Sequence, residues 1–418
     1  MVFENPVAAR PVTTADMMAA RDRRAAAQQH LLSQYGLPLV SFTLNIPGPV
    51  KRTALTDLAF ACGLQALEQR LGTPVDRRIS KADTGCEALL VCRDTAPRLK
   101  EACVQLETAQ PAGRLFDLDV LDTDGSKLSR TEPRTCLICG GPAALCARSR
   151  AHGLETVSAA VDTLLCELAA DTLAEQAYRA LLEEAELSPK PGLVDSLNNG
   201  AHDDMDLALF RRSAAALHPH FREFTALGLS GASADCLQEA GLAAERAMFA
   251  ATGGVNTHKG ALYSCALLLA AAGRCLRRGG DLFETACRLA AELRPPKHTH
   301  GTQVRCQYCV GGAREEALAG FPMARRAAEL LSGNDPLTVL LWLMAHVQDS
   351  NVYYRGGPAA AAMVHHGAAA VLKAPPEQRT ELAAELDRHL IQWHISPGGC
   401  ADLLALALFL QKLHTLAA

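Results

Sequence analysis

A chain of 418 residues, 49% hydrophobic and 21% charged, has the make-up of a folded protein, with room for two or three domains of roughly 150 residues. Its 41 Lys and Arg against 45 Asp and Glu give a formal net charge of -4 with no basic tract, which argues against a nucleic-acid partner. The first residues hold no apolar core of signal-peptide length. The apolar runs 261–272 and 403–410 fall short of the roughly 20 residues a bilayer crossing needs, so both read as buried helices and no membrane role is expected. Fifteen cysteines, an odd number, do not make a disulfide framework in a chain long enough to bury its own core. Cys166, Cys265, Cys275 and Cys287 lie in apolar helical stretches as reduced thiols, and the expected compartment is the cytoplasm.

Residues 15–34 read as a charged helix. Pro38 to Ile46, PLVSFTLNI, alternates as a strand does and stops at the breaker Pro47-Gly48-Pro49. A helix over about 57–71, a strand over 88–92, a helix over about 97–108 and a strand over 115–121 follow. Asp122-Thr-Asp-Gly125 predicts a hairpin turn into a short returning strand. This mixture predicts an α/β (or α+β) N-terminal domain with a mixed sheet, residues 1–155. Over 156–418 the periodicity becomes that of long Ala/Leu-rich helices, which predicts an all-α C-terminal domain.

In the first half, GRLFDLDV places Asp117 and Asp119 two apart on a strand, both on one face, with Phe116, Leu118 and Val120 on the other. Two adjacent carboxylates repel unless a cation neutralises them, and a hard dication such as Mg²⁺ bridging to phosphates is one answer; a plain polar strand face is the other. Cys136-x2-Cys139-x6-Cys146-x5-His152 offers four soft or borderline ligands, enough for a structural zinc site, although the spacing matches no common finger.

The second half carries five polar stretches between helices. They are SPKPGLVD from Ser188 with the following NNGAHDDM; ATGGVNTHKG, with Thr257 as expected N-cap; Thr299-His-Gly301 with GGAREEA and Gly320-Phe-Pro322; DSNVYYRGG from Asp349; and SPGGCAD, with Ser396 as expected cap. Helix caps alone explain any one of these. Repeated Lys, Arg, His and Asp favour loops gathered at one end of a bundle to bind anions and metal.

PLVSFTLNIPGPVK, GRLFDLDV and RTCLICGGPAALCARSRAH resemble the apo-citrate lyase phosphoribosyl-dephospho-CoA transferase family, over residues 1 to about 155. The resemblance implies transfer of a phosphoribosyl-dephospho-CoA group to a serine of the acyl carrier (gamma) subunit of citrate lyase, with release of pyrophosphate. It makes Asp117 and Asp119 the Mg²⁺ ligands, and Lys51, Arg52 and Arg114 candidates for steadying the triphosphate. SPKPGLVD, ATGGVNTHKG, GGAREEALAGFP, DSNV with RGG, and SPGG with ADLL resemble the triphosphoribosyl-dephospho-CoA synthase family, from about residue 155 onward. Ser350, Cys309 and Cys400 depart from that pattern.

That second resemblance implies attack of the 2′-hydroxyl of 3′-dephospho-CoA on the ribose C1′ of ATP, with adenine leaving. Lys190, Lys259, Arg314 and Arg355 are then phosphate candidates; Asp204, Asp349 and Asp402 are candidates for Mg²⁺ or for the base. His202 and His258 are acid–base or turn-capping candidates, and Asn198, Asn256 and Asn351 nucleotide-binding ones. Two alternatives stand beside this reading: the same chemistry for the carrier of malonate decarboxylase, or a non-catalytic carrier assembly factor.

Overall fold

The computed structural model describes residues 9–295 and 300–417, and falls into two compact units, Met1–Ala169 with Leu416–Ala418, and Ala170–Thr415. Thr299 of the third polar stretch lies outside the described residues, as does the side chain of His300.

Unit 1 begins with α1 (Thr14–Tyr35), started by a reciprocal Thr13–Asp16 capping box and stopped by Gly36 at φ 60°. Then come β1 (Leu39–Leu44), α2 (Ala54–Leu71), β2 (Asp76–Ala82), β3 (Gly85–Val91), α3 (Ala96–Ala109), a 3-10 turn (Pro111–Leu115), β4 (Phe116–Leu121) and the short α4 (Ala143–Ser149). The strands lie in the order β2-β3-β1-β4, and every pairing is antiparallel. The expected mixed sheet is therefore corrected to an antiparallel one in an α+β unit. The cause is β2, a strand absent from the sequence reading: its tight turn at Asp83-Thr84 returns the chain as β3, which then meets β1 antiparallel.

Alternation along the strands divides the sheet chemically. Val40, Phe42, Ala88, Leu90, Phe116, Leu118 and Val120 pack on Phe60, Leu64 and Leu67 of α2 and Leu99 and Cys103 of α3. Phe42 stacks on Phe60 at 4.8 Å and meets Phe116 edge-on at 5.4 Å; full burial of each ring contributes about 2–3 kcal/mol. The opposite face is apolar at one end, where Leu39, Leu89, Val91 and Leu121 meet Leu31 and Leu32 of α1. At its other end it is polar, with Asp119 paired to Ser41 and Asp117 to Thr43 across β4 and β1.

Helix α5 (Leu154–Glu186) starts within unit 1 and continues past Ala170 as the first helix of unit 2, followed by α6 (Leu207–Ser230), α7 (Ala234–Thr252), α8 (Lys259–Arg278), α9 (Leu282–Glu292), α10 (His300–Tyr308), α11 (Ala313–Leu318), α12 (Pro322–Leu330), α13 (Pro336–His346), α14 (Ser350–Lys373), α15 (Pro376–Gln392) and α16 (Gly398–Ala417). The expected all-α character holds among the described residues. Helices α8 and α16 are longer than the apolar runs inside them and are apolar enough to cross a membrane, but 78% and 61% of their apolar windows are buried inside the fold, as in core helices. Helices α6 and α8 cross in backbone contact: a Cβ at Gly228 would fall 2.1 Å from the Ala270 carbonyl, and one at Gly273 2.4 Å from that of Thr225.

Three of the polar stretches fold differently from expectation. The fourth is helical: Asp349 caps α14, which bends at Gly357 (φ 61°) before Pro358. His258, not Thr257, precedes the first turn of α8, because the Thr257 hydroxyl donates to Ser213 at 2.6 Å. Ser396 is hydrogen bonded to His202 Nε2 at 2.9 Å, and α16 starts two residues later.

Candidate active sites of the two units

Asp117 of β4 stands between two cavities. The larger, about 420 Å³, is lined by Asp117, Asp119, Lys100, Lys127, Arg130 and Arg134 among others. Lys127 lies on the return of the hairpin after β4 and donates to Asp119 Oδ2 at 2.6 Å. Glu107, 2% exposed, is the anchor behind this wall: it lies 2.7 Å from Arg130, accepts from Arg134 at 2.5 Å, and accepts the Leu118 N–H at 3.0 Å. Arg134 also donates to the Phe116 carbonyl at 2.8 Å and comes within 3.7 Å of Asp117. Buried Lys100 donates to the Leu118 carbonyl at 3.1 Å.

The smaller cavity, about 160 Å³, is lined by Asp117, Glu87, Arg21, Arg24 and Lys51 among others. Arg24 pairs with Glu87 at 2.6 Å, and Lys51 donates to the Ile46 carbonyl at 2.5 Å. Burial, and after it the charge of Arg21, lowers the pKa of the Lys51 ammonium. Two carboxylates on one strand face, ringed by cations that match phosphate oxygens, form a hard-donor set that suits Mg²⁺.

The other two basic residues of the sequence reading lie elsewhere. Arg114 is in neither wall; it donates to the hydroxyl and carbonyl of Thr135. Arg52 grips buried Asp57 through two nitrogens, at 3.0 and 2.8 Å, while Cys86 donates to the same carboxylate at 3.3 Å. Burial, and then Asp57, pushes the Cys86 thiol up to about 12.

Cys136, Cys139, Cys146 and His152 do come together: their ligand atoms all lie within 4.8 Å of one another. Backbone N–H groups, of Cys139 and then of Ile138, lower the pKa of the Cys136 thiol.

In unit 2 the polar stretches are joined by direct contacts. His202 of the first bonds to Ser396 of the fifth and, at 3.2 Å, to Arg355 of the fourth. Arg355 also donates to the carbonyls of Ala201 and His394, both at 3.1 Å. Asp349 caps the Asn351 N–H at 2.8 Å and accepts the Cys400 N–H at 2.9 Å, joining fourth to fifth. Asn351 lies against Gly398, 3.1 Å from where a Cβ would be. The second meets the fifth at Gly260, where a Cβ would fall 2.1 Å from Asp402 Oδ2. Desolvation, with Glu184 and Asp349 adding repulsion, holds the Asp402 carboxyl well above the usual carboxylate range. Asp349 is raised too, by burial.

The remaining candidates of unit 2 are engaged by the protein itself, and some are internal. Lys190, 1% exposed, pairs with buried Glu184 at 2.7 Å. Asp195 accepts from the Ser188 hydroxyl and from the N–H groups of Lys190, Leu197 and Asn198, so it shapes its own loop. Asn198 donates to Asp387 at 2.8 Å, and Asn256 accepts the Lys259 N–H at 3.3 Å. Lys259 pairs with Glu245, Arg314 donates to the Leu293 carbonyl at 3.3 Å, and exposed Asp204 lies 3.7 Å from His202. His258 is buried, bonded through Nδ1 to Ser213 at 2.7 Å; burial and then Lys190 push its pKa down to about 3, so it is a neutral ring at ordinary pH.

Sequence reasoning missed Glu107, Lys100, Lys127, Arg130 and Arg134 in unit 1, and Glu184, Ser213 and Asp387 in unit 2. The predicted hairpin after Asp122 pointed at Lys127; Glu184 sits in the run Glu183-Glu184-Ala-Glu186, where nothing singles it out.

The two dissimilar units coincide with two transferase family segments and make the chain a transferase enzyme. Residues 12–168 match the family model of apo-citrate lyase phosphoribosyl-dephospho-CoA transferase, and residues 170–418 that of ATP:dephospho-CoA triphosphoribosyl transferase. The chain belongs to the ATP:dephospho-CoA triphosphoribosyl transferase family, with the citrate lyase transferase segment ahead of it. It is 37% identical to Protein CitXG of Haemophilus influenzae over 94% of both chains, and 28% identical to Protein CitXG of Leuconostoc mesenteroides over 94% of this chain and 95% of that one. A probable 2-(5''-triphosphoribosyl)-3'-dephosphocoenzyme-A synthase of Pseudomonas putida is 43% identical, over 58% of this chain and 95% of its own length.

Proposed function

We propose that unit 2 makes the prosthetic-group precursor of citrate lyase and unit 1 attaches it, in the cytoplasm. The observation that carries this is the two family matches side by side in one chain, 12–168 and 170–418. In unit 2 the substrates are ATP and 3′-dephospho-CoA. The 2′-hydroxyl of dephospho-CoA forms a bond to ribose C1′ of ATP, the bond to adenine breaks, and the product is 2′-(5″-triphosphoribosyl)-3′-dephospho-CoA. Asp402, its pKa raised by burial, takes the proton of the attacking hydroxyl and returns it to the departing adenine, so that no net proton is gained or lost in the step. Arg355, held by two carbonyls and His202, binds phosphate oxygens with its remaining donor capacity.

In unit 1 a serine hydroxyl of the apo acyl carrier subunit attacks the phosphorus that carries the ribose, and pyrophosphate leaves. Bound at Asp117 and Asp119, Mg²⁺ would neutralise charge on the triphosphate. Lys127, Arg130 and Arg134 hold the departing pyrophosphate, and Lys51 the far side of Asp117. The test is incubation of the purified chain with ATP, dephospho-CoA, Mg²⁺ and apo carrier. Free adenine and a carrier heavier by one phosphoribosyl-dephospho-CoA group are expected; neither would appear if the reading were wrong.

A further inference from the structure

The cysteine–histidine group of unit 1 takes no part in either reaction, yet it is built like a metal knuckle. Gly140 at φ 71° closes the turn, with its N–H on the Cys136 carbonyl at 3.1 Å and the Cys136 N–H on the Gly141 carbonyl. The Ile138 N–H lies 3.4 Å from Cys136 Sγ, the arrangement that stabilises a thiolate. Cys146 rides on α4, whose left-handed end at Arg150 (φ 51°) turns the chain back so that His152 reaches the three sulfurs. His152 Nε2 is buried without a hydrogen-bond partner. Cys139 and Cys146 sulfurs lie 3.5 Å apart, near the roughly 3.8 Å that two thiolates bound to one tetrahedral zinc ion at about 2.3 Å would show.

The knuckle is fastened to the catalytic wall. Thr135 bridges Pro142, Ala143 donates its N–H to the Arg134 carbonyl at 2.9 Å, and Arg114 clamps Thr135. Arg134, whose side chain faces Asp117 and Glu107, immediately precedes the bridge. We propose that Cys136, Cys139, Cys146 and His152 bind one zinc ion, and that this closed turn fixes Arg134 in the wall of the Asp117–Asp119 cavity. Four protein ligands close the zinc shell, so the ion is structural and Arg134 is positioned through it. The second half of the proposal rests on the reading of unit 1 as the transferase site; the first half does not.

The full chain, purified without chelators, is assayed for zinc, for thiols that react in the folded state, and for both activities. One zinc per chain is expected in the wild type and in Cys306→Ser, a change at an exposed cysteine of unit 2, and none in Cys139→Ser. Cys139→His, which keeps a ligand at that position, should retain the ion. Loss of zinc should raise KM for the triphosphoribosyl intermediate in carrier transfer by about 10-fold or more, with adenine release unchanged. Should Cys139→Ser misfold, the wild type supplies the same answer: replacing zinc by Co²⁺ gives the visible absorption of tetrahedral thiolate coordination. A zinc-free wild type with all three thiols reactive, or with a Cys139–Cys146 disulfide, overturns the site. Bound zinc whose removal leaves KM unmoved overturns the positioning role. Failure of the transferase reading itself would show separately, as a zinc-bearing wild type that never modifies the carrier.

Discussion

Asp117 of unit 1 keeps a side chain 48% exposed between two cavities walled by Lys and Arg, whereas Asp349 of unit 2 is 3% exposed and accepts backbone N–H groups. The first environment surrounds its carboxylates with cations at an exposed surface, which suits a polyanion and leaves room for a large nucleophile such as a carrier protein. The second withdraws carboxylates from water and sets them against one another, which favours holding a proton. On the function proposed above, unit 1 binds charge and unit 2 handles protons, as a transfer to a protein and a displacement between two small molecules would require.

The sharpest way to break that contrast is at its two aspartates. Asp117→Asn should lower carrier modification about 10³-fold while leaving adenine release at the wild-type rate, read by carrier mass and by chromatography of adenine. Asp402→Asn should do the reverse, lowering adenine release about 10²-fold or more. The acid limb of adenine release in the wild type should lie above the usual carboxylate range, because Asp402 must be deprotonated to act. An Asp117→Asn chain defective in both activities would mean that the two sites are not separate.

Smaller effects sharpen the account through stability. Arg52→Ala strands Asp57 among buried groups beside Cys86 and should destabilise unit 1 by about 2 kcal/mol, seen as a lower denaturant midpoint, with adenine release unaffected. Burial pushes the His258 ring down to about 3 in the fold, from the ordinary imidazole value of 6.5, so the unfolded chain binds more protons between those values. Its contribution to stability is complete above about pH 6.5 and is lost as pH falls towards 3. Asp349, Asp387 and Asp402, raised in the fold, act with the opposite sign. The difference between wild type and His258→Asn isolates the histidine: the Tm drop from pH 7 to pH 5 should be smaller in the variant.

What the sequence disclosed follows from what periodicity can encode. The alternation in FDLDV put Asp117 and Asp119 on one face, and β4 has that burial pattern. Spacing alone grouped Cys136, Cys139, Cys146 and His152, since one turn, one short helix and the residues just past its end hold all four. β2 was illegible because DRRISKA is an exposed strand with no apolar alternation. The polar stretches of unit 2 were visible from their Gly and Pro, but the burial of Lys190 was not. Its partner Glu184 sits six residues earlier on α5, and only packing separates that glutamate from Glu183 and Glu186. Glu107 was hidden in the same way, one of two acids on α3, and only the fold brings it rather than Glu101 to Arg130 and Arg134.

The division of labour between the units is tested most directly by supplying the Asp402→Asn chain with intermediate made by the Asp117→Asn chain and freed of protein. Asp402→Asn, slowed about 10²-fold or more with ATP and dephospho-CoA, should then modify the apo carrier at the wild-type rate by mass spectrometry. An unmodified carrier in the presence of that intermediate would contradict that division.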